Sequence, residues 1–334
     1  MPRGRLSAAL VAYLSGRWQI LSVAPVVSRD GGTSALDDED LQLALYCCYE
    51  LHYRGFDGAV DAEWDDQVLR FRAALEREFE AALRDAVVER HRCGVDDPAS
   101  ELSLIVEDGD GAPSPSRFIA ERGSLGDLRE FAIHRSLYQL KEADGHTWAI
   151  PRYSGRSRSA LIETQMDEYG NGVPGQAHAE LFADTMDELD LCTTYGAYVD
   201  LVGAPTLSTV NLLTWFELHR RLLPALLGHL AVFEMTSVVP MGRYASACDR
   251  LRLSARARRR SRGGTHPVGY RRTARTPRFR RRAPTCRCRR TGRRRDRRHF
   301  SPMRRLRPRR RSSPPAEQPR RRVRPAPRCH DRRP

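Results

Sequence analysis

Glu168, His178 and Glu234 are the residues of this chain whose types and order could hold a metal ion. Helical bundles build metal sites in their cores from Glu and His on facing helices. Here Glu168 closes one helical stretch, His178 opens the next, and Glu234 lies late in the most apolar stretch of the chain. Oxygen and imidazole donors of this kind suit iron or manganese. The alternative reading, from spacing alone, is surface carboxylates and an ordinary histidine at helix ends. Glu142 and His146, four apart on a helix face, form a second candidate pair, against which stands a helix terminus with solvated polar groups. Cys47 and Cys48 are adjacent and so point in different directions on a helix, which reads as core packing. With no metal-type CxxC pair among the eight cysteines, reduced thiols in a cytoplasmic protein are expected.

The elements that must position these residues read as helix after helix from about residue 35. Leu41, Leu45, Cys48 and Leu51 recur at helical spacing behind the acids Asp37 to Asp40, which suit the positive end of a helix. Val68, Phe71, Leu75, Phe79, Leu83 and Val87 continue the pattern as a long amphipathic helix. Residues 107–116 read as a loop, and Ser124 with Asp127 as a capping box opening a helix through about Asp144. Further helices are expected at roughly 157–169, 174–189 and 206–236, the last bent at Pro224, because an interior proline removes a hydrogen bond. No segment alternates as a strand does, so the expected fold is an all-α bundle.

Charge divides the chain. Residues 251–334 hold 34 Arg, no Lys and three acids (Asp296, Glu317, Asp331), a balance of +31, while the first 250 residues carry 23 basic and 39 acidic groups, a balance of −16. The net +15 is therefore the sum of an acidic body and a basic tail, which excludes one basic nucleic-acid-binding domain. Eleven prolines and few large apolar residues leave the tail nothing to offset the entropy of ordering, so disorder is expected there. Two readings of it stand. One is an Arg-rich arm that binds nucleic acid non-specifically by neutralising phosphates. The other is a frameshift near residues 245–255. One lysine, Lys141, against 56 arginines implies a GC-rich gene, in which the acidic codons GAC and GAG read out of register become CGA, CGG, ACG and AGG, giving Arg and Thr.

At the other end, Arg3 and Arg5 followed by LSAALVAYL have the order of a signal peptide. The apolar run is short, Arg17 follows, and no cleavage site stands out, so cytoplasmic localisation is expected. No run approaches eighteen apolar residues, and no membrane partner is expected. The expected organisation is an N-terminal segment (1–34), a helical domain (35–250) and the tail (251–334).

The stretches DDEDLQLALYCCYELHYRGFDG (37–58), HRSLYQLKEADGHTWAIPR (134–152), QMDEYGNGVPGQAHAELFADTM (165–186) and TLSTVNLLTWFELHRRLLPALLGHLAVFEMTS (206–237) resemble the iron-containing redox enzyme family, one of the haem-oxygenase-like diiron oxidases and oxygenases. The resemblance covers roughly residues 35–248. It implies a helical bundle that binds two non-haem irons, activates dioxygen and oxidises an organic small molecule, here unknown. It also implies metal roles for Glu168, His178 and the bridging Glu234, and places His134, Gln139, Lys141 and Trp148 as unassigned candidates lining a substrate cavity. The family's next helix supplies a His-x3-Asp-x2-His pattern. Where that helix should lie the chain reads RGGTHPVGYRRTART, with His266 present but Tyr270 and Thr273 in place of Asp and His. The resemblance therefore implies a bundle without its C-terminal metal-binding helix, at most one iron, and impaired activity. The rival expectation is a nucleic-acid-binding protein with a basic arm on an acidic helical scaffold.

Overall fold

Asp38 starts the most enclosed helix of the protein. Its carboxylate accepts the backbone N–H groups of Asp40 and Leu41 at 3.0 and 2.9 Å, satisfying donors that the first turn leaves unpaired. In the computed structural model, which describes residues 1–22, 33–87, 100–104 and 113–253, that helix is α2 (Glu39–Glu50). It follows α1 (Arg5–Leu14) and precedes α3 (Asp66–Ala86), α4 (Pro115–Glu121) and α5 (Leu125–Gln139). Then come α6 (His146–Ala149), α7 (Gly155–Glu168), α8 (His178–Glu188), α9 (Ala204–Leu218) and α10 (Leu223–Arg250). No strand occurs among the described residues. The described residues all fall in a unit spanning Met1–Arg278. The expectations for the tail beyond residue 253, and for Cys93, Cys286, Cys288 and Cys329, lie outside the described residues.

α2 packs against α1, α3 and α9. Leu41, Leu45, Cys48 and Tyr49 join Phe71, Leu75 and Phe79 of α3 and Trp215 of α9 in one apolar cluster. On its other side Leu43 and Tyr46 meet Leu137 of α5 with Leu207 and Val210 of α9. Buried polar groups lock the α2–α9 pair, since Asn211 donates to the Gln42 backbone carbonyl at 2.9 Å and to its Oε1 at 2.8 Å, and Gln42 donates to the Ala35 carbonyl at 2.7 Å. Burial in this core pushes the Cys48 thiol up. The capping box at Ser124 is present, with Asp127 accepting the Ser124 N–H at 2.7 Å and Ser124 Oγ accepting the Asp127 N–H at 3.2 Å.

Four elements differ from the sequence-based expectation. The helical body begins well before residue 35, because α1 buries Leu6, Ala9 and Leu10 in the same core and the Asp40 carboxylate caps it, accepting the Leu6 and Ser7 N–H groups at 2.7 and 2.9 Å. The helix opened at Ser124 stops at Gln139, and residues 140–145 form turns. The stretch 206–236 is two helices, not one bent at Pro224. His219 is extended, Arg220–Leu222 is a 3₁₀ turn, and Pro224 stands in the first turn of α10, where its missing N–H costs nothing. The interior proline is instead Pro240.

The fourth difference concerns burial. Its apolar composition predicts a helix buried on several sides, yet α10 is fully buried only near its ends, at Leu223, Leu226, Ala245, Ala247 and Cys248. Leu227, Val238 and Val239 are 37%, 50% and 59% exposed. The stretch Arg220–Arg250 is long and apolar enough to cross a membrane by length and composition, which corrects the expectation that no stretch is. It contacts α4 and α9 and carries the acidic Glu234 part-way along, while little of its most apolar window is buried.

Candidate metal centre

The turn after α5, the end of α7 and the start of α8 converge. Gly170, Asn171, Gly172 and Gly175 all adopt left-handed conformations between α7 and α8 and fold the chain back on itself. Gly170 is required twice over, since its φ is +59° and a Cβ there would lie 2.4 Å from the Gln176 backbone. The Glu180 carboxylate then accepts the N–H groups of Gly175 and Ala177 at 2.9 and 3.1 Å, fixing the first turn of α8. As a result His178 Nδ1 lies 2.8 Å from Glu168 Oε2, both side chains nearly enclosed. Gln165 Nε2 donates to the Ala143 carbonyl at 2.7 Å and so ties α7 to the turn that carries Glu142.

Glu142, Glu168 and His178 each offer one ligand atom, and these atoms all lie within 4.8 Å of one another. Gln139 Nε2 donates to Glu142 Oε1 at 2.8 Å and orients it. The structure thus brings together two of the three residues singled out from the sequence, Glu168 and His178, and adds Glu142. Glu234 stands outside this close group but feels it. Burial first, then the Glu168 and Glu142 carboxylates, push its carboxyl up to about 7, while His178 pulls it down. Glu142 was visible in the sequence only as a helix-face partner of His146. Because α5 ends about five residues earlier than expected, Glu142 leaves that face and turns toward α7 and α8.

The donor set fits iron. Two carboxylates and an imidazole are the oxygen and nitrogen ligands that ferrous iron accepts in open sites. Nearby, His146 is buried with Nδ1 lacking any hydrogen-bond partner, and burial holds its pKa below the usual value, against the raising effect of Glu142. An orphaned buried nitrogen near the Glu142 carboxylate is a cost that a cation or a bound ligand would relieve.

Residues 129–259 match the family of iron-containing redox enzymes. Glu142, Glu168, His178 and Glu234 all fall within that match, as do α5 to α10 apart from the first residues of α5. The all-α architecture of the described residues is consistent with the haem-oxygenase-like fold of that family. No curated protein matches the chain. The iron-containing redox enzyme match ends at residue 259, just past the compositional break.

One acid beside the centre makes a pH prediction. Glu217 of α9 is buried and accepts from Tyr53 Oη at 2.9 Å, and a Cβ at Gly145 would lie 1.8 Å from its Oε2, so only glycine admits this approach. Burial pushes the carboxyl up to about 7; the Tyr53 hydrogen bond and Lys141 pull it down and Asp144 pushes it up. The folded-state value is above the ordinary 4.5, so the stability this group contributes is complete below about pH 4.5 and is lost as pH rises through about 7. That difference corresponds to on the order of 3 kcal/mol. Glu217→Gln should be more stable than the parent at pH 8 and should flatten the slope between pH 5 and 8 in urea unfolding. Equal slopes in the two proteins would refute it.

Proposed function

We propose that this protein is a non-haem iron oxidoreductase that uses dioxygen to oxidise a small organic substrate, with Glu142, Glu168 and His178 as the ligands of one iron. The observation that carries the reading is the convergence of these three ligand atoms within the segment that matches the iron-containing redox enzymes. Iron bound there supplies one-electron redox chemistry toward dioxygen. The chain's own residues do the rest. Glu168 and His178 are held by the left-handed turn between α7 and α8, Gln139 orients Glu142 through a hydrogen bond, and the burial of the group keeps bulk water from the ligands. Glu234, whose carboxyl is pushed up to about 7, holds a proton near neutrality and gives it up when a cation arrives.

In the proposed arrangement Glu234 would bridge to a second iron whose remaining ligands belong to a helix that a frameshift has replaced. Two observations support this. The charge balance reverses near residue 250, close to where the family match ends, and the middle of α10 presents Val238 and Val239 to solvent where further bundle helices would pack. The chain as it stands would be impaired, and its tail would bind nucleic acid only non-specifically. With α10 serving as a bundle helix, residence in the cytoplasm accompanies this reading.

Restoring the reading frame by a single-base change tests it. The restored protein should hold two irons per chain after anaerobic loading, show an oxygen-dependent optical change, and give no Soret band with haemin. Failure of the restored protein to bind iron, or tight haemin binding, would sink the assignment.

A further inference from the structure

A cavity of about 250 Å³ lies between α5, α8 and α10. Its walls are mostly apolar, with Phe131, Phe182, Phe233 and Tyr244 supplying aromatic rings. Two residues of α5 break that apolar surface: Arg135 and Gln139. They lie four positions apart, on one helix face and about 6 Å along the axis. Gln139 is the residue that donates to Glu142 at 2.8 Å, so one end of the cavity abuts the iron ligands. One turn back along α5, the Arg135 guanidinium lies 5.3 Å from the Tyr138 ring centroid and 5.8 Å from that of Phe233, and it has no carboxylate partner among the described residues.

A guanidinium held over aromatic faces beside an apolar chamber, with no acid to neutralise it, is prepared for an anion that brings its own apolar body. Arginine accepts a carboxylate through paired N–H donors, which fixes both position and orientation. We propose that the cavity binds an organic acid, with its carboxylate on Arg135, beside the Gln139–Glu142 end, and its apolar body in the chamber lined by Phe131, Phe182 and Tyr244. Arg135 is then the specificity-determining residue, and substrates of the same shape carrying a hydroxyl or an ammonium group are discriminated against. A cationic ligand meets like charge, and a neutral one forfeits the charge-assisted pair. This substrate class rests on the oxidoreductase reading for its chemical purpose, but its binding does not require iron.

The test is calorimetric titration of the metal-free full chain with 4-phenylbutyrate, 4-phenylbutanol and 4-phenylbutylamine. The acid should bind at least tenfold more tightly than the alcohol, and the amine least. Arg135→Met should lower the acid's affinity by ten- to hundredfold and leave the alcohol's unchanged, which also shows that the cavity has survived the substitution. Ala132→Phe, which fills the cavity, should abolish binding of all three. Acid binding that persists in Arg135→Met or Ala132→Phe would place it elsewhere, on the arginine-rich tail for example, and overturn the proposal. Equal affinity for acid and alcohol, or loss of both in Arg135→Met, would do the same. Because no iron is present, a negative result here leaves the metal reading standing, and a failed iron titration leaves this one standing.

Discussion

Anaerobic titration of the chain with ferrous iron should saturate at one ion per chain, and His178→Ala should weaken that binding by more than about 100-fold, beyond the ~10–100-fold that changes outside the ligand shell typically cost. The expectation follows from the geometry: Glu142, Glu168 and His178 converge within 4.8 Å, whereas Glu234 stands apart. Two carboxylates and one imidazole are enough for a single ferrous ion, while a centre of two ions needs about six protein ligands so that each holds carboxylate and imidazole. Glu142→Gln should weaken binding as Glu168→Gln does, because both oxygens belong to the close group. Glu234→Gln should cost far less. Two tightly bound irons in the unaltered chain would mean that residues beyond 253 supply ligands. An unchanged affinity in His178→Ala would remove the site.

The second large effect is on stability. Lys141 and Glu50 form an ion pair with both side chains 4% exposed. The Lys141 Nζ also lies 3.8 Å from the Tyr53 ring centroid, and Tyr195 Oη donates to the other Glu50 oxygen at 2.5 Å. Removing one member leaves a buried charge with no counter-charge, which costs about 3–5 kcal/mol. Lys141→Met should therefore unfold at much lower urea concentration than the parent. Adding Glu50→Gln should restore a large part of the loss, since the amide carries no charge yet still accepts from Tyr195. Additive losses in the double variant would show that the pair is not coupled. Lys141 adjoins Glu142, so the single variant should also loosen iron binding.

The features that were legible in the sequence are those set by short-range chemistry. Ser124 with Asp127 closes a capping box within four residues, and the acids before Leu41 cap α2 through Asp38. Glu168 and His178 were named from their places at the end of one helical stretch and the start of the next, with surface groups as the alternative from spacing alone, and the structure brings them to 2.8 Å. What escaped the sequence reading depends on where a helix ends. Whether Pro224 bends a helix or begins one depends on His219 being extended, which no local pattern marks. Glu142 joins the close group where α5 gives way to turns after Gln139, in the same turn from which Lys141 reaches Glu50. Of the four residues that the resemblance placed at a substrate cavity, Gln139 lines the chamber between α5, α8 and α10 and His134, Lys141 and Trp148 do not, while Arg135 on the same face was invisible until α8 and α10 enclosed it.

Glu50 collects its partners from far along the chain: Lys141 is 91 residues away and Tyr195 is 145. Glu142, Glu168 and His178, by contrast, come from a single stretch between the end of α5 and the start of α8. Closing a long loop carries an entropic cost before any contact rewards it, and chains rich in such contacts fold slowly. The order of events follows from these separations. During synthesis Glu142, Glu168 and His178 emerge within one short stretch and meet through the α7–α8 turn and the Gln165–Ala143 tie, whereas Glu50 waits for partners made long after it. The candidate metal centre is thus assembled from contacts local in sequence, and the Glu50 cluster from contacts that close long loops.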